Sequence, residues 1–403
     1  DGYAVFQLNC WNRIVQSAVA TGKPVLYVDF PYGGSGGFLV YTAALKRENP
    51  ANFGFLTSSR LDDLAAAFEL FARIKKPENQ KPFSQLVEEL RLARTPASGH
   101  LTCYPDELKV LSAEETFDRL KDSPILLFRD EHGGEPFQIM NIPVLNLPFG
   151  ELNQAWACAD QQQAGQLARK WWHGASFIQG VSWSEVVNSA AMYLGLKSLL
   201  DKYRARAVTV NCLGGFYGAH IHAYPCLGFY ELNNQGLVGA CEADLRSTAT
   251  MTAFGLMTGG RPGYISDPVI DLSKRRIIYA HCVASNRVFG PSGPVNPYEI
   301  LTHSEDRQGA AVRSILPAGY LTTSLQIDDR RQEILIHQAK AVGNDLSDRA
   351  CRTKLVAEPI GNLEKLFSNW DVWGWHRVTF YGDLKEPAYR LAEALHWKVV
   401  EEA

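Results

Sequence analysis

Apolar residues recur along this chain at two different periods, and the change of period divides it into three textures. In the first 150 residues, short apolar runs alternate with segments whose hydrophobic positions return every three or four residues. The run 25–30 reads as a near-continuous buried strand, with 125–128 and 142–147 as further strands. Helical spacing occupies about 38–47, 61–76 and 83–94. Such alternation predicts a parallel sheet with helices on its faces.

A second unit starts near residue 151. Positions 153–173 and 183–204 each predict one long amphipathic helix. A strand over 207–212, a helix over 225–233, a strand over 237–241 and a helix over 245–257 follow. From about 265 the period falls to two, in runs near 276–282, 320–327 and 333–337 separated by Gly, Pro, Asn and Asp. That pattern predicts an antiparallel sheet or small barrel, ended by a helix over about 386–396. The expected class is α/β, with a parallel α/β unit at 1–150, a second α/β unit at 151–265 and a β-rich unit at 266–403. No internal repeat or low-complexity tract interrupts this order.

Composition narrows the function classes. A chain of 403 residues exceeds the roughly 250–300 at which one core divides into several. Its net charge of −3 offers no electrostatic footprint for nucleic acid. No apolar run approaches the ~20 residues needed to span a bilayer. The eight cysteines are scattered without a CxxC pair, which favours buried free thiols over a disulfide framework. The chain opens at Asp1, straight into strand-like sequence, so a preceding segment is expected to be missing. A cytoplasmic protein is expected, with an exported form as the alternative.

Candidate chemistry concentrates in the last two units. Glu242 falls at the carboxyl end of a predicted buried strand, where open α/β sheets place their ligand crevices. Along an extended strand, Glu242 and Asp244 would share a face. The helix expected from Leu245 instead makes Asp244 a good N-cap, and Glu242 keeps no such structural explanation. A carboxylate after Val238-Gly-Ala-Cys241 is costly to bury unless paired, hydrogen-bonded or metal-bound. Asp267 precedes Pro268 and serves equally as a turn former or a ligand. His376 sits among Trp370, Trp373 and Trp375. Two carboxylates and one imidazole suit a hard or borderline divalent cation with positions left open for substrate. Trp373 and Trp375 could pack against a sugar's C–H faces. His281, at a strand end, reads as a core histidine or a substrate contact.

Other motifs carry less. The loop 33–37 could present backbone N–H groups to a phosphate, yet it lacks a P-loop lysine, and a tight strand-to-helix connection explains it. His220 and His222 could ligate a metal from one strand, but nothing nearby completes a set, so they read as surface histidines. No Ser-His-Asp or Cys-His arrangement stands out.

Taken together, these runs resemble a known family. They are Pro225-Cys-Leu227, Leu232 to Leu245 with Met251, Pro262 to Asp267, Ala280-His-Cys282, and Gly374-Trp-His376 with Gly382-Asp-Leu384. They are similar to the L-fucose isomerase/L-arabinose isomerase superfamily, closest to its fucose-isomerase-like branch. The resemblance is clearest from about 205 to 390. It implies two Rossmann-like α/β domains with parallel sheets followed by a C-terminal antiparallel β-barrel domain. It further implies a homo-oligomer, trimer or hexamer, with the site near a subunit interface. The implied reaction is aldose–ketose isomerisation of an open-chain sugar through an enediol, with Mn²⁺ or another divalent cation. Glu242 and Asp267 would be metal ligands and acid/base groups, His376 the third protein ligand, and His281 an additional histidine toward substrate. The expected partner is a small-molecule sugar, not nucleic acid or a membrane. Epimerisation or elimination on a modified sugar, or sugar binding without turnover, are the alternatives, because fold alone does not fix function.

Overall fold

In the computed structural model, which describes residues 1–403, the chain opens with three parallel strands paired in sequence order. They are β1 (Tyr3–Gln7), β2 (Val25–Asp29) and β3 (Phe53–Leu56). Every residue of β2 is buried, the terminal Asp29 included, as its near-continuous apolar run requires of a strand covered on both faces. The following helix runs Ser35–Glu48 and so includes glycines expected to precede it. Packing explains them: a Cβ on Gly36 would lie 2.0 Å from the Trp375 ring, 339 positions away by number. The glycine loop is thus a strand-to-helix connection shaped to admit an indole.

The second sheet contains β4 (Ile125–Phe128), β5 (Phe137–Ile139) and β6 (Ile142–Leu147). After β7 (Phe177–Gln179), which pairs elsewhere, it gains β8 (Ala207–Val210) and β9 (Val238–Cys241). Its order is β5-β6-β4-β8-β9, parallel except for β5, so it draws strands from both sides of residue 150. The single helix expected over 153–173 is two, Phe149–Ala157 and Gln161–Gly174. Asp160 caps the second by accepting the Gln163 N–H, which starts a new helix although the apolar spacing continues across the break. Ser182 caps Trp183–Lys202 in the same way through Glu185.

The remaining strands are β10 (Tyr264–Asp271), β11 (Arg276–His281), β12 (Tyr298–Leu301), β13 (Ala311–Ser314), β14 (Leu321–Asp328), β15 (Glu333–Asn344), β16 (Thr353–Ile360), β17 (Arg377–Tyr381) and β18 (Lys398–Glu401). Six of them close an antiparallel barrel in the order β14-β17-β10-β11-β16-β15, with β15 returning to β14. An irregularity at Ala341–Gly343 bends β15, which lets one long strand serve both neighbours. β18 lies parallel to the start of β15, while β12 and β13 form a small sheet with β7. The sequence reading of parallel α/β units followed by a β-barrel matches this architecture.

Two apolar clusters fasten the parts together. Tyr27, Phe38 and Phe55 of the first unit share a core with Leu355, Ala357 and Phe367. Phe254, on the helix Leu245–Met257, joins Ile327, Val378 and Phe380 of the barrel. The carboxyl end of β9, the glycine-rich helix start and the rim of the barrel therefore converge. No helix is long and apolar enough to cross a membrane. All eight cysteines are free thiols, four of them buried.

Candidate metal centre

The strand β9 ends at Cys241, and the backbone then turns sharply. Glu242 and Ala243 hold φ of 66° and 53°, a left-handed pair in residues with side chains. Non-glycine residues in this region are strained by about 1–3 kcal/mol each and cluster at functional sites. The turn cancels strand alternation: Glu242 projects from it, and Asp244 caps the helix Leu245–Met257 by accepting the Ser247 N–H.

Three side chains from three elements meet at this turn. Glu242 Oε1 lies 3.7 Å from His281 Nε2, and Oε2 lies 3.6 Å from His376 Nε2. One ligand atom from each of the three lies within 4.8 Å of the others. The imidazole rings of His281 and His376 stand nearly perpendicular, with centroids 5.6 Å apart. Asp267 is outside this mutually close trio but reaches it, its Oδ1 lying 3.1 Å from His376 Nε2. His281 ends β11 and Asp267 lies in β10, with His376 immediately before β17, so the barrel rim supplies all but Glu242.

The supporting hydrogen bonds aim these groups. His376 Nδ1 is 2.9 Å from Asp244 Oδ2, which turns Nε2 toward Glu242 and Asp267. A carboxylate behind an imidazole fixes ring orientation and tautomer in this way at metal sites. The Trp375 indole donates to Asp267 Oδ1, while the exposed ring of Trp11 covers Trp375 at 4.6 Å between centroids. Trp373 is used differently: its indole donates to Glu333 at 2.7 Å, and the Arg331 guanidinium lies over its ring. Trp375 therefore touches the cluster through Asp267, and Trp373 is anchored on the barrel.

Electrostatics separates the carboxylates. Burial pushes the Glu242 pKa up, against the pull of His376 and His281. Burial also opposes ionisation of Asp267, but the charge and hydrogen bond of His376 outweigh it and hold Asp267 below the usual range. Asp244, half-buried and hydrogen-bonded by His376 and Ser247, is held down to about 2. Burial disfavours the charged form of His376, but Asp267, Asp244 and Glu242 override it and raise its pKa well above the ordinary value.

Three nitrogens decide what this cluster suits. Both ring nitrogens of His281 are buried without a hydrogen-bond partner, and Nε2 of His376 has no aligned one beyond its 3.1 Å ion pair with Asp267. An unpaired buried polar group costs about 1–3 kcal/mol, so folded proteins avoid it unless a ligand restores the partner. Metal–nitrogen bonds of about 2.1 Å place neighbouring ligand atoms roughly 3.0–3.4 Å apart. The separations of 3.6 and 3.7 Å need only slight contraction around an ion. The donor set fits a divalent cation.

Sequence reasoning gave Glu242, Asp267 and His376 as ligands and His281 as a substrate contact; the fold brings all four together, with His281 in place of Asp267 in the mutually close trio. It missed the second role of Asp244, whose capping explanation was sufficient by itself. It also missed Trp11, for which an isolated indole in a polar stretch gives no signal. His220 stands elsewhere, paired with Glu131 at 2.9 Å, and His222 packs edge-on to Trp156.

No family model matches the chain. Over 206 residues it is 23% identical to the sulfoquinovose isomerase of Priestia aryabhattai and equally to that of Priestia megaterium (strain ATCC 12872 / QMB1551). The match covers 50% of this chain and spans 45% of those relatives, less than half their length. The chain is thus distantly related to sugar isomerases.

Proposed function

We propose that this protein is an aldose–ketose isomerase acting on an open-chain sugar, with a divalent cation held by Glu242, His281 and His376. The observation that carries the reading is the pair of imidazole Nε2 atoms, neither in an aligned hydrogen bond, that face one carboxylate at 3.6–3.7 Å. The distant similarity to sulfoquinovose isomerases supports the same reaction class. A bound Mn²⁺ would supply Lewis-acid polarisation of adjacent sugar oxygens, a contribution of several kcal/mol.

The protein's own groups divide the proton work. Glu242, kept more basic by burial, removes the proton from C2 of the open-chain aldose and, after exchange with solvent, protonates C1. Asp267 stays ionised and, steadied by the Trp375 indole, takes the hydroxyl proton from O2 and hands it to O1 as the carbonyl moves from C1 to C2. Asp244 keeps His376 oriented throughout. The Trp11–Trp375 pair screens this edge of the cluster from water.

The test is a panel of pentoses, hexoses, 6-deoxyhexoses and sulfoquinovose, incubated with Mn²⁺ in D₂O and followed by NMR. The expected result is a ketose carrying deuterium at C1, with turnover abolished by a chelator and restored by Mn²⁺. Sugar binding without metal uptake or ketose formation would sink the isomerase reading.

A further inference from the structure

Directly after His281, the chain places a thiol against another thiol. Cys282 Sγ lies 3.5 Å from Cys351 Sγ, and Ser304 Oγ approaches the two sulfurs at 3.8 and 4.0 Å. The pairing follows from the barrel: β11 and β16 run antiparallel with His281 opposite Thr353, so the two cysteines lie just beyond the same end of this ladder. Cys282 is buried at 7% exposure, whereas Cys351 is half-buried.

We propose that Cys282 and Cys351 form an oxidation-sensitive dithiol whose closure to a disulfide shifts His281 and weakens the metal site. The disulfide itself stands on the sulfur geometry; its coupling to the metal rests on the function proposed above. A disulfide needs sulfurs about 2.05 Å apart, so each segment must give part of a ~1.5 Å approach. His281 is covalently adjacent to one of the moving residues. Metal–ligand bond lengths stay within about ±0.2 Å of their ideal values. A fraction of that approach is enough to matter.

The oxidant is a peroxide. The Cys351 sulfur attacks one peroxide oxygen, the O–O bond breaks, and water leaves with the thiol proton, giving a sulfenic acid. The Cys282 sulfur then attacks the Cys351 sulfur, the S–S bond forms as the S–O bond breaks, and the departing hydroxide takes the Cys282 proton as a second water. Two thiols have lost two electrons, and hydrogen peroxide has become two waters. A dithiol reductant reverses the change by thiol–disulfide exchange.

The experiment treats the full chain with hydrogen peroxide, alkylates the remaining thiols and maps peptides without reduction. Mn²⁺ affinity is measured by calorimetry on reduced, oxidised and re-reduced protein. The expected result is one cross-link, Cys282 to Cys351, with Mn²⁺ affinity lowered roughly 10–100-fold and restored by dithiothreitol. Cys351→Ser should bind Mn²⁺ like the reduced protein and keep that affinity under peroxide. Thiols that remain alkylatable after peroxide overturn the proposal, as does a cross-link that leaves Mn²⁺ affinity unchanged. Loss of affinity under peroxide in Cys351→Ser also overturns it. Failure of the reduced protein to take up Mn²⁺ overturns the metal reading, and the coupling with it, whatever the peptide map gives.

Discussion

His376 and Arg377 are consecutive, yet their side chains enter two buried polar clusters of opposite character. On one side, the guanidinium of Arg377 reaches both Glu402 oxygens at 2.5–3.1 Å and the carbonyls of Trp370, Gly374 and His376. His337 completes that cluster, with Nδ1 on Glu402 at 2.9 Å and Nε2 on the Tyr279 hydroxyl at 2.7 Å. No side-chain atom of this group lacks a partner, whereas across the backbone both nitrogens of His281 do, and His376 Nε2 has only its ion pair with Asp267. A satisfied buried network rigidifies the barrel, and an unsatisfied one costs stability unless a ligand completes it. The neighbouring clusters separate support from function: the Arg377 network fixes the strand end that presents His376.

The largest expected effect breaks the functional side. Glu242→Gln keeps the shape and removes the base, so ketose formation should fall at least ~10²–10⁴-fold. Its thermal midpoint should stay at or above that of the wild type, because the variant loses a buried charge. Near-wild-type turnover in steady-state assays would remove Glu242 from the mechanism.

Breaking the structural side should unfold the protein instead. Glu402→Ala leaves the fully buried Arg377 charge unpaired, a loss of about 3–5 kcal/mol to be read by denaturant unfolding. Burial alone would raise the Glu402 pKa, but Arg377 and His337 bring it down to about 2 from an ordinary 4.5. A depressed carboxyl pKa stabilises the fold above about pH 4.5, and that contribution is lost as pH falls toward 2. The wild type should show this acid slope, and Glu402→Ala should lack it.

Asp29 sharpens the contrast as an intermediate case. It is buried at the end of β2 with only the Ser35 and Thr57 hydroxyls as side-chain donors, at 3.0 and 3.5 Å. Burial raises its pKa from 3.8 to about 7. Here the sign reverses: the stability linked to its proton is full below pH 3.8 and lost as pH rises through 7. Asp29→Asn should therefore stabilise the protein at neutral pH by up to roughly 4 kcal/mol, with the gain vanishing near pH 4. Thermal melts across that range check both the sign and the window.

The smallest effect concerns the proton on His376. Its raised pKa means that metal uptake must displace a proton, so Mn²⁺ affinity should drop roughly tenfold per pH unit on acidification. Calorimetry in buffers of different ionisation enthalpy measures the released proton directly. Asp244→Asn, which removes one of the charges holding it, should flatten that dependence.

Much of this molecule follows from local sequence. The buried strand β2 and the helix Leu245–Met257 are set by apolar spacing and by the Asp244 cap, and they appear close to where the pattern places them. The residue types of the site were legible too, since a carboxylate after a buried strand needs a reason to be there. Other features depended on pairings remote in sequence. The break at Asp160 was hidden because the apolar spacing runs through it. The pairing of β17 with both β10 and β14 joins segments that no local period relates. Gly36 reads as a loop glycine until the Trp375 ring lies against it, and Asp244 reads as a cap until His376 arrives behind it. Backbone propensity and burial are properties of a short window, whereas the direction in which a side chain points is decided by the partners that the folded chain brings to it.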